Sequence, residues 1–207
     1  MEDRWLGWAK RLQAIASTGM HYGVGKFDHE RYEEVAAIAN QMLAALGKVP
    51  IGTIEGLFPE FAKGYSTPKV EVRAAVFDAG RILLVRERSD GLWTLPGGFA
   101  DVGRSAGENV VKEVREEANL DVEVRALIGL RHKARHEFDA DVRDFYKLYF
   151  FCEPVDPREP APGAETSAVG YFAPEALPPL STSRVLRKDI DAAFAFRADP
   201  TTPAFFD

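Results

Sequence analysis

The chain has 207 residues, 46% hydrophobic and 28% charged, the balance of a globular protein long enough to bury a sizeable core. Its formal net charge of -6 excludes a broad basic surface of the kind that displaces counterions from nucleic acid, so any phosphate chemistry must use local cations or a metal. The single cysteine, Cys152, excludes an intrachain disulfide and a cysteine-based zinc site; lying in an apolar run, it is expected to be a buried, inert thiol.

No run approaches the ~20 apolar residues of a membrane span, and Met1 is followed by acidic residues rather than a basic start and an apolar stretch. No membrane partner and a cytoplasmic location are therefore expected. From Arg4 to Tyr22, the residues Trp5, Trp8, Leu12, Ile15 and Ala16 recur at three- and four-residue intervals, the spacing of an amphipathic helix that Gly23 and Gly25 then break. Asp28 is a candidate cap for a second helix, along which Tyr32, Val35, Ala39, Met42, Leu43 and Leu46 draw an apolar stripe ending at Gly47. Two short helices have little interior of their own, so residues 1–47 read as a helical N-terminal domain whose stripes need cover. That cover comes from the rest of the chain or a second subunit, and a homodimer is expected. Residues 48–68, with Pro50, Gly52, Gly56, Pro59, Gly64 and Pro68, read as a linker. Its Ile54, Leu57, Phe58 and Phe61 predict that it packs.

Residues 69–207 form the second domain. Short β-branched and aromatic runs at Val70–Phe77 and Ile82–Val85 flank Asp78-Ala-Gly80, a hairpin signal. A helix follows at Ala106–Ala118, then strands at Val122–Leu130, Phe145–Cys152 and Val169–Phe172, and a last helix at about Ser183–Phe196. This order predicts an α+β domain with a mixed sheet between helices.

The chemistry concentrates around the middle helix. Ser105 and Glu108 have the spacing of a capping box, Val110, Val111, Val114 and Ala118 supply an apolar face, and Asn119 tolerates the left-handed exit. Glu113, Glu116 and Glu117, three and four residues apart, share one surface. Three like charges there repel unless a cation lies between them, and oxygen-only ligation suits magnesium or manganese. Charge runs on helices are usually solvated faces. The preceding Leu95-Pro96-Gly97-Gly98 turn shifts the balance, because two adjacent glycines let backbone approach a ligand closely, with Asp101 as a further acid nearby.

Aligned on Gly98, these residues resemble the Nudix hydrolase box, G-x5-E-x7-R-E-U-x-E-E-x-G-U with U aliphatic, at Glu113, Val114, Glu116, Glu117 and Leu120. Arg104, Lys112 and Asn119 replace the early glutamate, the arginine and the late glycine. A fuller resemblance, carried by Phe99–Gly103, Glu108–Val114 and Glu165–Tyr171, is to the Nudix subgroup with a helical N-terminal domain that hydrolyses nucleoside diphosphates linked to another group, such as ADP-ribose or CDP-choline. In that subgroup the early glutamate is often missing and lysine often takes the arginine position.

The resemblance implies a Nudix fold with a small α-helical N-terminal domain and water attack on one phosphorus of a diphosphate. It implies Mg2+ or Mn2+ held by Glu113, Glu116, Glu117 and the Gly97 carbonyl, with Glu116 or Glu165 as general base. The segment Arg131-His-Lys-Ala-Arg-His136 is either a clamp for the diphosphate through Arg131, His132, Lys133, Arg135 and His136 or a solvated loop. Zinc ligation by His132 and His136 lacks a third ligand. Two rival readings stay open: a nucleoside triphosphate pyrophosphohydrolase and a catalytically weak nucleotide-sensing module.

Overall fold

The computed structural model describes residues 3–57, 65–156 and 158–207. They fall into two compact units, one of residues 1–69 with 140–144 and the other of residues 70–139 with 145–207. Among the described residues no single helix is long and apolar enough to cross a membrane.

In the first unit, α1 (Arg4–Tyr22) starts at Asp3, whose side chain accepts from the Trp5 and Leu6 amides. The second helix, α2 (Lys26–Gly47), starts earlier than expected: Gly25 is its cap, and Asp28 sits in the first turn with its amide on the Gly25 carbonyl. The stretch expected to be linker holds a third helix, α3 (Ile51–Leu57), and Ile54 packs with Leu6, Ala9 and Leu43 into a small core. Burial of Ile54 outweighs the poor helix propensity of Gly52 and Gly56. Leu57 packs against the same core, while Phe58 and Phe61 lie outside the described residues.

The second unit is built on a six-stranded mixed sheet of β1 (Lys69–Asp78), β2 (Arg81–Glu87), β3 (Trp93–Thr94), β4 (Val122–His132), β5 (Phe145–Pro154) and β6 (Thr166–Phe172). The order is β3-β2-β1-β5-β4, with β6 also on β2. The β1–β2 connection turns on Ala79 and Gly80, both at positive φ (44° and 82°), as a two-residue hairpin of the primed type demands. Alternation along the strands divides the interior in two. Val72, Ala74, Val76, Leu83 and Val85 pack under α4 (Ala106–Ala118), whereas Ala75, Ile82, Leu84 and Tyr149 pack under α5 (Arg187–Ala198). Cys152 is buried in the first of these cores, and burial pushes its thiol up to about 12, which leaves it unreactive at neutral pH.

Several boundaries in this unit differ from the expectation: β6 starts at Thr166 rather than Val169, and β5 ends at Pro154 rather than Cys152. The last helix begins at Arg187 rather than near Ser183, because Arg184 and Val185 bond back to the Ser181 carbonyl in a separate turn. The buried carboxylate of Asp189 then fixes the start by accepting from the Leu186 amide at 2.9 Å. Strand β4 runs on to His132 because Arg131 and His132 still pair with Lys147 and Tyr146 of β5, and the C-terminal segment lines its other edge: Leu130 donates to the Phe205 carbonyl at 2.8 Å, and Phe205 donates to the Ile128 carbonyl at 3.1 Å.

Candidate active site

Helix α4 is sharply bounded. Glu108 N donates to Ser105 Oγ at 3.1 Å and Ser105 N donates to Glu108 Oε2 at 2.7 Å, so both exposed amides are satisfied. Asn119 ends the helix with φ 53° and donates through Nδ2 to the Ala161 and Pro162 carbonyls at 2.9 and 3.1 Å. Between these ends, Val110, Val114 and Ala118 are drawn into the core, and Glu113, Glu116 and Glu117 occupy neighbouring positions beside them.

The Gly97-Gly98 turn is held against this helix. Gly97 has φ 148°, and a β-carbon there would lie 2.0 Å from the Val72 carbonyl oxygen, so no other residue fits. Its amide donates to Glu117 Oε2 at 2.8 Å. At Gly98 a β-carbon would come within 2.9 Å of Glu113 Oε2. The two glycines thus bring the backbone directly onto two carboxylates from the next helix.

Burial pushes the Glu117 carboxyl up to about 8, with Glu87 and Glu113 adding to the rise, against the pull of Arg73 and the Gly97 amide. Glu113 is raised as well, by burial first and by Glu116, with Lys112 opposing. Glu116 is exposed. Lys112 places Nζ 3.0 Å from Asp101, 3.2 Å from Glu116 and 3.6 Å from Glu113, and its contacts with these acids, the Asp101 hydrogen bond foremost, hold the ammonium above its ordinary value. Among the described residues no three His, Cys, Asp or Glu side chains converge as a finished metal site. The donor set nevertheless fits a hard divalent cation. Its donors are all oxygens, and two of its carboxylates are disfavoured as anions by burial, so a cation would relieve them.

Loop 161–166 is stitched to the end of α4. Gly163 N donates to the Glu117 carbonyl at 3.1 Å and Thr166 Oγ1 donates to the same oxygen at 2.8 Å. Glu165 lies exposed on this loop, its carbonyl accepting from the Arg88 amide at 3.2 Å. The loop therefore meets the last turn of α4 at the Glu117 backbone.

Four of the five candidate clamp residues have structural partners. Arg131 Nε donates to Asp189 Oδ1 at 2.6 Å, and its guanidinium lies 4.2 Å over the Phe205 ring. The His132 amide donates to Asp207, and His136 Nε2 lies 2.5 Å from Asp207 Oδ1. Lys133 is buried, with its ammonium 4.9 Å from the Phe145 ring centroid, and Arg135 is exposed.

A buried charge network beside the turn has no counterpart among the expected site residues. Arg73 donates through Nη1 to the Leu95 and Gly97 carbonyls at 3.1 and 2.7 Å, Glu71 lies 3.9 Å from its Nη2, and Lys147 Nζ donates to Glu71. Burial alone would raise the Glu71 carboxyl, but Arg73 and Lys147 outweigh it and hold it below its ordinary value. Burial and Arg73 pull the Lys147 ammonium down to about 7 against the attraction of Glu71. The sequence does carry a signal for this network. Glu71, Arg73 and Lys147 occupy alternate positions on the same faces of their strands as the core residues Ala75 and Tyr149.

Residues 67–193 match the NUDIX domain family, and residues 3–58 match the UDP-X-like, N-terminal oligomerisation domain family. The chain is 37% identical over its whole length, and over 99% of the relative, to the Bacillus subtilis protein named "Putative ADP-ribose pyrophosphatase YjhB". A crystal structure of an ADP-ribose pyrophosphatase from Streptococcus suis aligns with 68% of this chain and all of that one at 38% identity and a TM-score of 0.62. A UDP-X diphosphatase structure aligns with 98% of both chains at 28% identity and a TM-score of 0.63.

Proposed function

The chain belongs to the Nudix hydrolase family and is a pyrophosphohydrolase; we propose that it hydrolyses, with a divalent metal, the diphosphate of a nucleoside diphosphate linked to a second group. ADP-ribose, UDP-linked compounds and CDP-choline are the candidate substrates. The observation that carries this reading is the approach of Gly97 and Gly98 to Glu117 and Glu113, whose carboxyls burial still raises despite the opposing charges of Arg73 and Lys112.

Glu113, Glu116, Glu117 and the Gly97 carbonyl would hold magnesium or manganese, which supplies charge neutralisation on the diphosphate oxygens and acidifies attacking water. The chain's own residues divide the remaining work. The turn and α4 fix where the diphosphate lies, because both are rigidly hydrogen-bonded. Glu116 or Glu165, both exposed, takes the proton from the attacking water. Arg131 and His136, engaged by Asp189 and Asp207, serve the substrate by shaping the end of β4 rather than as a loose cationic clamp.

Homodimerisation is part of the same proposal. Trp5, Trp8, Leu12 and Ile15 form a stripe along α1 that stays 58%, 42%, 38% and 56% exposed, an apolar seam suited to a second copy. The test is kcat/KM for ADP-ribose, a UDP-sugar, CDP-choline and the four common triphosphates at saturating Mg2+, with Glu116→Gln as the impaired control. A linked diphosphate should lead by tenfold or more. A triphosphate leading by that margin would assign the enzyme to triphosphates, and absence of any turnover by folded protein would favour nucleotide sensing.

A further inference from the structure

We propose that Arg73 is a positioning residue, which sets the Gly97 peptide and, through it, the Glu117 carboxylate for cation binding. This rests on the metal-dependent reading above. Strand β1 directs four consecutive carbonyls of the turn. The Val72 and Ala74 amides take those of Gly98 and Pro96 at 2.9 and 2.8 Å. Backbone pairing with one neighbouring strand reaches only alternate carbonyls, so those of Leu95 and Gly97 need another donor in a buried place. Arg73 Nη1 serves both, at 3.1 and 2.7 Å, and Thr94 Oγ1 reaches only the Leu95 oxygen, at 3.3 Å.

Holding the Gly97 carbonyl fixes the orientation of its residue, whose amide donates to Glu117 Oε2. Arg73 therefore acts on Glu117 through the backbone of one glycine. A carbonyl oxygen has two lone pairs, and Arg73 uses one, leaving the other for a cation. The guanidinium is itself set by Glu71, and Glu71 by Lys147, which also donates to the Arg184 carbonyl at 3.1 Å. Apolar residues would serve a core at least as well as three buried charges. The location of these charges at the turn whose amide meets the Glu117 carboxylate gives them a role that packing does not.

The planar guanidinium is the feature that matters, since Nη1 serves the two carbonyls while Nη2 faces Glu71, a division that lysine, with a single nitrogen, cannot reproduce. The experiment measures Mn2+ affinity by calorimetry, together with kcat and KM for ADP-ribose, in wild type, Arg73→Lys and Arg73→Met, with folding checked by circular dichroism. Both variants should bind Mn2+ at least tenfold more weakly and lose at least tenfold in kcat, with KM within twofold. A folded Arg73→Lys protein with Mn2+ affinity and kcat within twofold of wild type would overturn the proposal alone, whereas a wild type that binds no Mn2+ would overturn the metal-site reading with it. If neither variant folds, the wild type decides: the nitrogen-15 signals of the Arg73 guanidinium should shift on saturation with Mg2+, and unmoved signals would refute the role.

Discussion

Gly163 lies so close to Glu116 that a β-carbon on it would sit 1.7 Å from the Glu116 carbonyl oxygen. Such an approach joins the loop bearing Glu165 to the last turn of α4. Gly163→Ala must push the loop away, since backbone on both sides cannot yield by a side-chain rotation. We expect a destabilisation of about 1–3 kcal/mol and at least a tenfold loss of kcat. Urea unfolding and steady-state kinetics at a temperature where the variant is folded check both, and unchanged kcat would separate this loop from catalysis.

Glu117 links function to stability with a definite sign. Its folded pKa of about 8 is raised above the ordinary carboxylate value, chiefly by burial, so the folded protein holds a proton that the unfolded chain releases. The stability that Glu117 contributes is present in acid and is lost as pH rises toward about 8. Glu117→Gln imitates the protonated form and can still accept from the Gly97 amide. In chelator at pH 8 the variant should melt at least ~2 °C above wild type, a gap that closes at pH 4, while its activity with Mg2+ falls at least ~100-fold. A variant less stable than wild type at pH 8 would contradict the assignment of burial as the dominant influence.

The middle of this site was legible because its signals are local. Ser105 and Glu108 bound the helix within four residues, Asn119 ends it, and spacings of three and four place Glu113, Glu116 and Glu117 together. The Ile51–Leu57 helix was not legible, since Gly52 and Gly56 read as linker and only packing of Ile54 explains the conformation. Arg73 reaches carbonyls 22 and 24 residues away, and Arg131 and His136 find partners 58 and 71 residues on. Strand alternation places Arg73 on an inward face, but the partners of these residues, so far along the chain, follow from no local spacing.

The C-terminal segment organises the end of β4. Gly129 leaves room for the Phe205 ring, to which a β-carbon would approach within 2.4 Å, and the same ring lies under Arg131 and 5.8 Å from Tyr149. Phe205→Ala should destabilise by about 1–2 kcal/mol, since the ring is only partly buried. Slackening of the His132 and His136 contacts to Asp207 should accompany the loss, seen as faster amide exchange at His132. Unchanged exchange there would show that Asp207 holds the segment without Phe205.

Lys112 is the cation already present among the carboxylates, within 3.0 to 3.6 Å of Asp101, Glu116 and Glu113. It bears on metal binding in two opposed ways. A positive charge among the ligands repels an arriving divalent ion, while its contacts hold Glu113 and Glu116 near each other. The repulsion should dominate, because Glu116 is exposed and free to reorient, and Glu113 is set by its packing against Gly98 more than by a 3.6 Å ion pair. A partly exposed charge at these distances is worth about 1 kcal/mol, or roughly fivefold in affinity. Lys112→Met should therefore bind Mn2+ about fivefold more tightly in calorimetry at low salt, with the gain shrinking at high salt as screening sets in. Lys112→Arg, which retains the charge, should stay within about twofold of wild type. Weaker binding by Lys112→Met would show instead that the ammonium organises the carboxylates.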